Sequence, residues 1–173
     1  DINLVKKVTS ASGDTATVLD ISLDKNRNDL VRLLEARMKV IYFDHHFAGE
    51  IPESELLETH IDTSSNVCTG LLVNQYLNSE FLPWAVTALF GDNLYDAAAS
   101  AAEPLNLSDS QLDKLKNLGT LLNYNGYGST IDDLYFPPDE LYLKIKPYAD
   151  PFEFVESDST FQKLQAGFDD DMN

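Results

Sequence analysis

Lysine and arginine are missing from the whole stretch between Lys39 and Lys114. Nucleic-acid surfaces are built from those side chains, which neutralise phosphates, so long nucleic acid is not expected on this region alone. Cysteine is nearly absent too. Cys68 stands alone, which excludes an internal disulfide and cysteine-rich zinc modules. No apolar run approaches the roughly 20 residues of a membrane-spanning helix, and no signal-peptide pattern opens the chain. Together these absences predict a cytoplasmic protein with no membrane partner. An initiator methionine is lacking as well, and a start at Asp1 predicts a piece of a longer polypeptide.

What is present is a chain of 173 residues, 43% hydrophobic, long enough for one domain with its own core. The formal charge is −17. Residues 1–46 hold seven basic and seven acidic side chains and so balance; the whole excess lies beyond them. An anionic ligand would therefore be attracted by bound cations or by parts outside this chain. The plainer reading of the acidity is that it keeps the surface soluble.

The stretch that organises the rest is Lys39-Val40-Ile41-Tyr42-Phe43-Asp44-His45-His46. Val40 to Phe43, β-branched or aromatic throughout, read as a short buried strand. Thr15 to Ile21 read as an earlier strand with Asp20 near its end, after a turn over Ser10 to Asp14. Asn26 or Asn28 is expected to cap a helix running to about Arg37, with Leu30, Val31, Leu33 and Leu34 on its apolar face. Strand, helix and strand make a βαβ unit whose strands run parallel. Asp20 and Asp44-His45-His46 then leave the sheet at the same edge, where open parallel sheets bind ligands.

Downstream, Phe47 to His60 read as a loop with a helical turn begun by Pro52, and His60 to Asp62 as a short extended piece. A helix capped by Asn66 or Ser65 is expected through Leu77, with Leu71, Leu72, Tyr76 and Leu77 inward. Pro83 opens a helix, Trp84 to Phe90, that runs into Gly91-Asp92-Asn93. An alanine-rich helix follows over Asp96 to Glu103. Ser108-Asp109-Ser110-Gln111 is a capping box for a helix with an inward stripe of Leu112, Leu115, Leu118 and Leu122. A turn-rich loop spans Asn123 to Gly128, and another helix about Asp139 to Lys146. From Ser157 a short helix around Phe161 and Leu164 and a frayed acidic end are expected. The fold class is α/β, a parallel sheet flanked by helices with a helix-rich C-terminal half. The expected division is one domain over 1–156 and a C-terminal helix and tail over 157–173.

Asp20 at one strand end, Asp44-His45-His46 at the next and Asp92 after a buried helix form a combination that resembles the DHH phosphoesterase superfamily. Its members include family-II inorganic pyrophosphatases, RecJ-type exonucleases and nanoRNA oligoribonucleases. The resemblance covers about 15–96, and the segments 44–52, 68–74 and 123–128 look like a bacterial branch. It implies that Asp20, His45 and Asp92 are metal ligands and that His46 lies against the scissile phosphate. Asp44 would then orient an imidazole. The implied cofactor is Mn²⁺ or Mg²⁺, in a two-metal site with ions about 3.5–4 Å apart. The implied reaction is hydrolysis of a phosphodiester or phosphomonoester by metal-activated water. A nucleotide or short oligonucleotide is the expected substrate, given the stretch without basic residues.

The chain departs from the family pattern in two places. No Asp-x-Asp first motif precedes Asp20, where Asp14 stands alone, and the C-terminal substrate-binding domain is not recognisable. A weak or inactive hydrolase fragment is therefore expected. The alternative is a non-catalytic metal- or nucleotide-binding module that retains the fold. His60, Asp62, Asn93 and Asp96 read more simply as loop, cap or surface residues, and Cys68 as a small core residue.

Overall fold

The run of β-branched and aromatic residues before the histidine pair forms the middle of a three-stranded parallel sheet. A computed structural model describes residues 3–9 and 13–172 of the protein. The strands are β1 (Thr15–Leu19), β2 (Lys39–Asp44) and β3 (Leu57–Ile61), in the order β1-β2-β3. In register, Leu19 pairs with Phe43, Phe43 with His60 and Asp44 with Ile61. The three strands therefore end level, and the residues after each leave from one edge.

Helices α1 (Leu23–Glu35) and α2 (Thr69–Tyr76) both pack on β2. Side chains alternate along a strand. Val40 and Tyr42 join the core made by Leu23, Leu30, Leu33 and Leu34 of α1, while Phe43, out of phase with them, meets the Tyr76 ring edge-on at 5.2 Å. The two helices thus cover opposite faces of β2. Burial, and then the charge of Asp44, hold the Tyr42 phenol well above its usual pKa, so it stays a donor and bonds Ile21 O at 2.6 Å. That bond secures the turn between β1 and α1.

The chain divides into two compact units, Asp1–Tyr76 and Leu77–Asn173. The 156/157 boundary expected from the sequence falls inside the second unit, where the last helix packs on α5. The second unit is helical among its described residues: α3 (Leu82–Gly91), α4 (Tyr95–Ala102), α5 (Asp109–Tyr124), α6 (Pro138–Ile145), α7 (Pro151–Ser157) and α8 (Ser159–Met172). Leu118, Phe154 and Val155 form one buried cluster, and Leu121, Phe136, Leu141 and Leu164 another. Helices α3 and α5 cross where Gly91 meets Gly119. A Cβ on Gly119 would lie 2.8 Å from Gly91 N and would also strike Thr87 O. Two glycines are what permit that approach of backbones.

The α/β class, the parallel βαβ unit and the helical C-terminal half stand as expected. The Ser108 capping box is present, with Gln111 N donating to Ser108 Oγ and Ser108 N to Gln111 Oε1. Several details differ. β1 stops at Leu19, because Asp20 adopts a left-handed backbone (φ 60) that a strand cannot carry. Neither Asn26 nor Asn28 caps α1. Its first residue is Leu23, and Asn26 is buried inside it, donating to Ser22 O. No helical turn forms at Pro52; residues 45–56 cross back irregularly to β3. β3 is longer than the His60–Asp62 piece expected, since its charged and polar residues suit a half-exposed edge strand.

α2 starts at Thr69 rather than at Asn66, and its Tyr76 and the following Leu77 are exposed. The α5 stripe buries Leu121 rather than Leu122, one position round the helix. The acidic end is helical instead of frayed. Asp171 accepts hydrogen bonds from the hydroxyls of Tyr124 (3.0 Å) and Tyr135, and the Tyr135 ring lies where a Cβ on Gly167 would be. Ser10 to Ser12, most of an expected turn, lie outside the described residues. Among those described, no helix is long and apolar enough to cross a membrane.

Candidate metal centre

Asp44 ends β2 with its side chain fully buried. A lone carboxylate there would be costly, but three donors surround this one. Oδ2 accepts from Leu23 N at 3.3 Å, and Oδ1 accepts from His46 N at 3.2 Å and lies 2.7 Å from His46 Nδ1. Leu23 opens α1, and the residue before it, Ser22, makes no side-chain cap. The helix start is therefore capped by a carboxylate from the neighbouring strand, which also suits the positive end of the helix dipole.

His45 turns the other way. Its Nδ1 lies 3.0 Å from Val67 O, just ahead of α2. A carbonyl and an ionised carboxylate only accept, so both imidazoles are donors at Nδ1, and each neutral ring then carries its lone pair on Nε2. His45 Nε2 lies 3.4 Å from Asp20 Oδ1. Asp20 is set by its own backbone: its N–H still bonds Phe43 O, at 3.0 Å, while its left-handed φ breaks the strand. Aspartate tolerates that conformation better than most residues.

Asp20, His45 and His46 each offer a ligand atom, and these atoms lie within 4.8 Å of one another. Two acceptors facing each other at 3.4 Å repel unless a cation stands between them. A proton on His45 Nε2 would join that pair; a divalent ion would join it to a ring nitrogen of His46 as well, within the 4.8 Å that spans the three residues. Asp20, His45 and His46 are the residues that would hold such an ion. Mixed oxygen and imidazole donors suit Mn²⁺ and similar ions, and an imidazole fixed through its other nitrogen is the usual arrangement around a metal-bound histidine. The residues present therefore fit the implied ion. The side chains of Asp20 and His46 are 56% and 49% exposed, so the centre opens to solvent.

Of the five residues singled out in the sequence, Asp20, Asp44, His45 and His46 come together at this edge. Asp92 belongs to the second unit, where it follows α3 and its N–H bonds Ala88 O. His60 sits on β3, stacked on Phe43 (ring centroids 4.6 Å apart) and bonded to Glu58 at 2.9 Å. Asp62 accepts from Ser64 N, and Ser64's side-chain and backbone hydrogen bonds hold its carboxyl below the usual range. Asn93 has a left-handed backbone and accepts from the Tyr95 hydroxyl, and Asp96 lies in the first turn of α4. Cys68 is buried.

Three contributors were not legible beforehand. Thr69 Oγ1 donates to Asp20 Oδ1 at 2.7 Å, Val67 supplies the carbonyl under His45, and Arg27 Nη2 bonds Ala48 O at 3.0 Å. Arg27 also pairs with Asp24 at 2.8 Å and packs against Gly49, whose φ of +61 and lack of Cβ leave room for the guanidinium. The segment just after the histidine pair is thereby pinned to α1. Nothing in a lone Thr, Val or Arg announces a partner 20 to 50 residues away; only the pairing of strands creates it. Comparison with protein families, curated proteins and solved structures yields no match to this chain.

Proposed function

We propose that the protein is a metal-dependent phosphoesterase of the DHH type, acting on a phosphodiester or phosphomonoester of a nucleotide or short oligonucleotide. The observation that carries this reading is the meeting of three possible ligand atoms, from Asp20, His45 and His46, within 4.8 Å. A divalent ion such as Mn²⁺ bound there supplies positive charge for phosphoryl oxygens and makes a water acidic enough to attack. Val67 O and Asp44 hold the two imidazoles at Nδ1, so that both Nε2 atoms stay available. Asp20 supplies a negatively charged oxygen ligand beside the two imidazoles.

The substrate reading rests on charge. With no Lys or Arg between Lys39 and Lys114, a short substrate drawn by the metal is favoured over a long polyanion held by the protein surface.

The test is hydrolysis of bis-p-nitrophenyl phosphate with Mn²⁺, alongside Mn²⁺ titration by calorimetry. Binding and turnover that both vanish in Asp20→Ala and His45→Ala support the reading. Mn²⁺ binding without turnover would leave a non-catalytic metal-binding module. Turnover unchanged in both variants would sink the site assignment.

A further inference from the structure

The connection from β3 into α2 touches two of the three candidate ligands within three residues. Val67 O meets His45 Nδ1, and Thr69 Oγ1 donates to Asp20 Oδ1 at 2.7 Å. Thr69 is buried, 5% exposed, at the first position of α2. A threonine at a helix start ordinarily turns its hydroxyl to its own backbone. Here the hydroxyl reaches a carboxylate 49 residues back in the chain. Cys68 between them is buried at 1%, and its carbonyl accepts from Leu71 N and Leu72 N. The short bracket is therefore locked to the first turn of α2 and cannot drift independently of it.

We propose that Thr69 is a positioning residue for the metal centre, acting through Asp20; this rests on the metal reading above. Asp20 leaves β1 with a left-handed backbone and a side chain 56% exposed, so without a partner its carboxylate would sample several rotamers in solvent. The Thr69 hydroxyl holds Oδ1 in place, 3.4 Å from His45 Nε2, before any ion arrives. Because the same three-residue stretch carries the carbonyl under His45, the start of α2 sets the spacing of two ligands at once. Ordering the ligands in advance removes that ordering cost from the binding step, as hydrogen bonds around metal ligands commonly do.

The experiment is Mn²⁺ titration by calorimetry on the wild-type chain and on Thr69→Val, Thr69→Ala and Thr69→Ser, with circular dichroism to verify folding. Valine keeps the shape and removes the hydroxyl. Serine keeps the hydroxyl. The expected result is an affinity about 10- to 100-fold weaker in T69V and restored in T69S, a split that loss of packing alone would not produce. Should T69V fail to fold, T69A against T69S makes the same comparison. Wild-type affinity in T69V overturns the positioning role and leaves the metal reading standing. Equal loss in T69S and T69V also overturns it, since the hydroxyl is then irrelevant. If the wild-type chain itself binds no Mn²⁺, the metal reading fails and this inference with it.

Discussion

The two units treat buried polar groups differently. In the first, two of them reach partners remote in sequence, the Asp44 carboxylate capping the start of α1 and Thr69 bonding Asp20, while Asn26 bonds Ser22 O one turn back. In the second they are local. Thr87 bonds Pro83 O one helical turn back, and Asn125 bonds Phe136 backbone in both directions, closing the intervening loop. Among the described residues Asp44 is the one buried acid. Burying a carboxylate or tying a hydroxyl across strands is costly unless the partners are well placed. The first unit uses such partners to fix the candidate ligand side chains; the second relies on leucine and aromatic packing around a close helix crossing.

The sharpest way to break this contrast is at that crossing. Gly119→Ala pushes a methyl against Thr87 O and Gly91 N and should cost about 3 kcal/mol, read by chemical denaturation. An unchanged denaturation midpoint would mean that the two backbones can part at this crossing, and that the glycine pair is not what holds the helical unit together.

Asp44→Ala should cost less, about 2 kcal/mol, because Leu23 N–H loses its acceptor while a buried charge is also removed. It should nevertheless weaken Mn²⁺ at least about tenfold through the freed His46 ring. Loss of stability with unchanged affinity would make Asp44 a helix cap and nothing more.

The smallest effect is a pH dependence in the second unit. The hydrogen bond to Asp171 pushes the Tyr135 phenol up to about 12 and raises Tyr124 as well. A raised phenol pKa means that the folded state holds the proton more tightly than the unfolded chain. Its contribution is then complete below about pH 10 and lost as pH rises toward about 12. Phenolate absorbance should show Tyr135 ionising earlier in Asp171→Asn. An unmoved titration would remove Asp171 from the anchoring of α8.

Legibility followed the range of the interactions. The βαβ unit, the capping box at Ser108 and the helix from Leu82 were readable because hydrophobic period, capping chemistry and Pro83 act over one or two turns. α8 was read too short, because the acceptor role of Asp171 depends on Tyr124 and Tyr135, 47 and 36 residues away. β3 was under-read for a related reason: Leu-Glu-Thr-His-Ile gains strand character from β2 beside it. At the site, the types Asp20, Asp44, His45 and His46 stood out, whereas Thr69, Val67 and Arg27 did not.

The amino-acid order alone determined that a carboxylate and two imidazoles would follow a buried strand, and that an aspartate would end the strand one helix earlier. Parallel pairing of those strands follows from the length and handedness of the crossover. Only the tertiary structure decided what these side chains do to each other. It sends Asp44 inward to α1 and His45 toward α2, because successive residues leaving a strand face opposite ways. It also brings the start of α2 against Asp20, and gathers possible ligand atoms of Asp20, His45 and His46 within 4.8 Å at the end of the sheet.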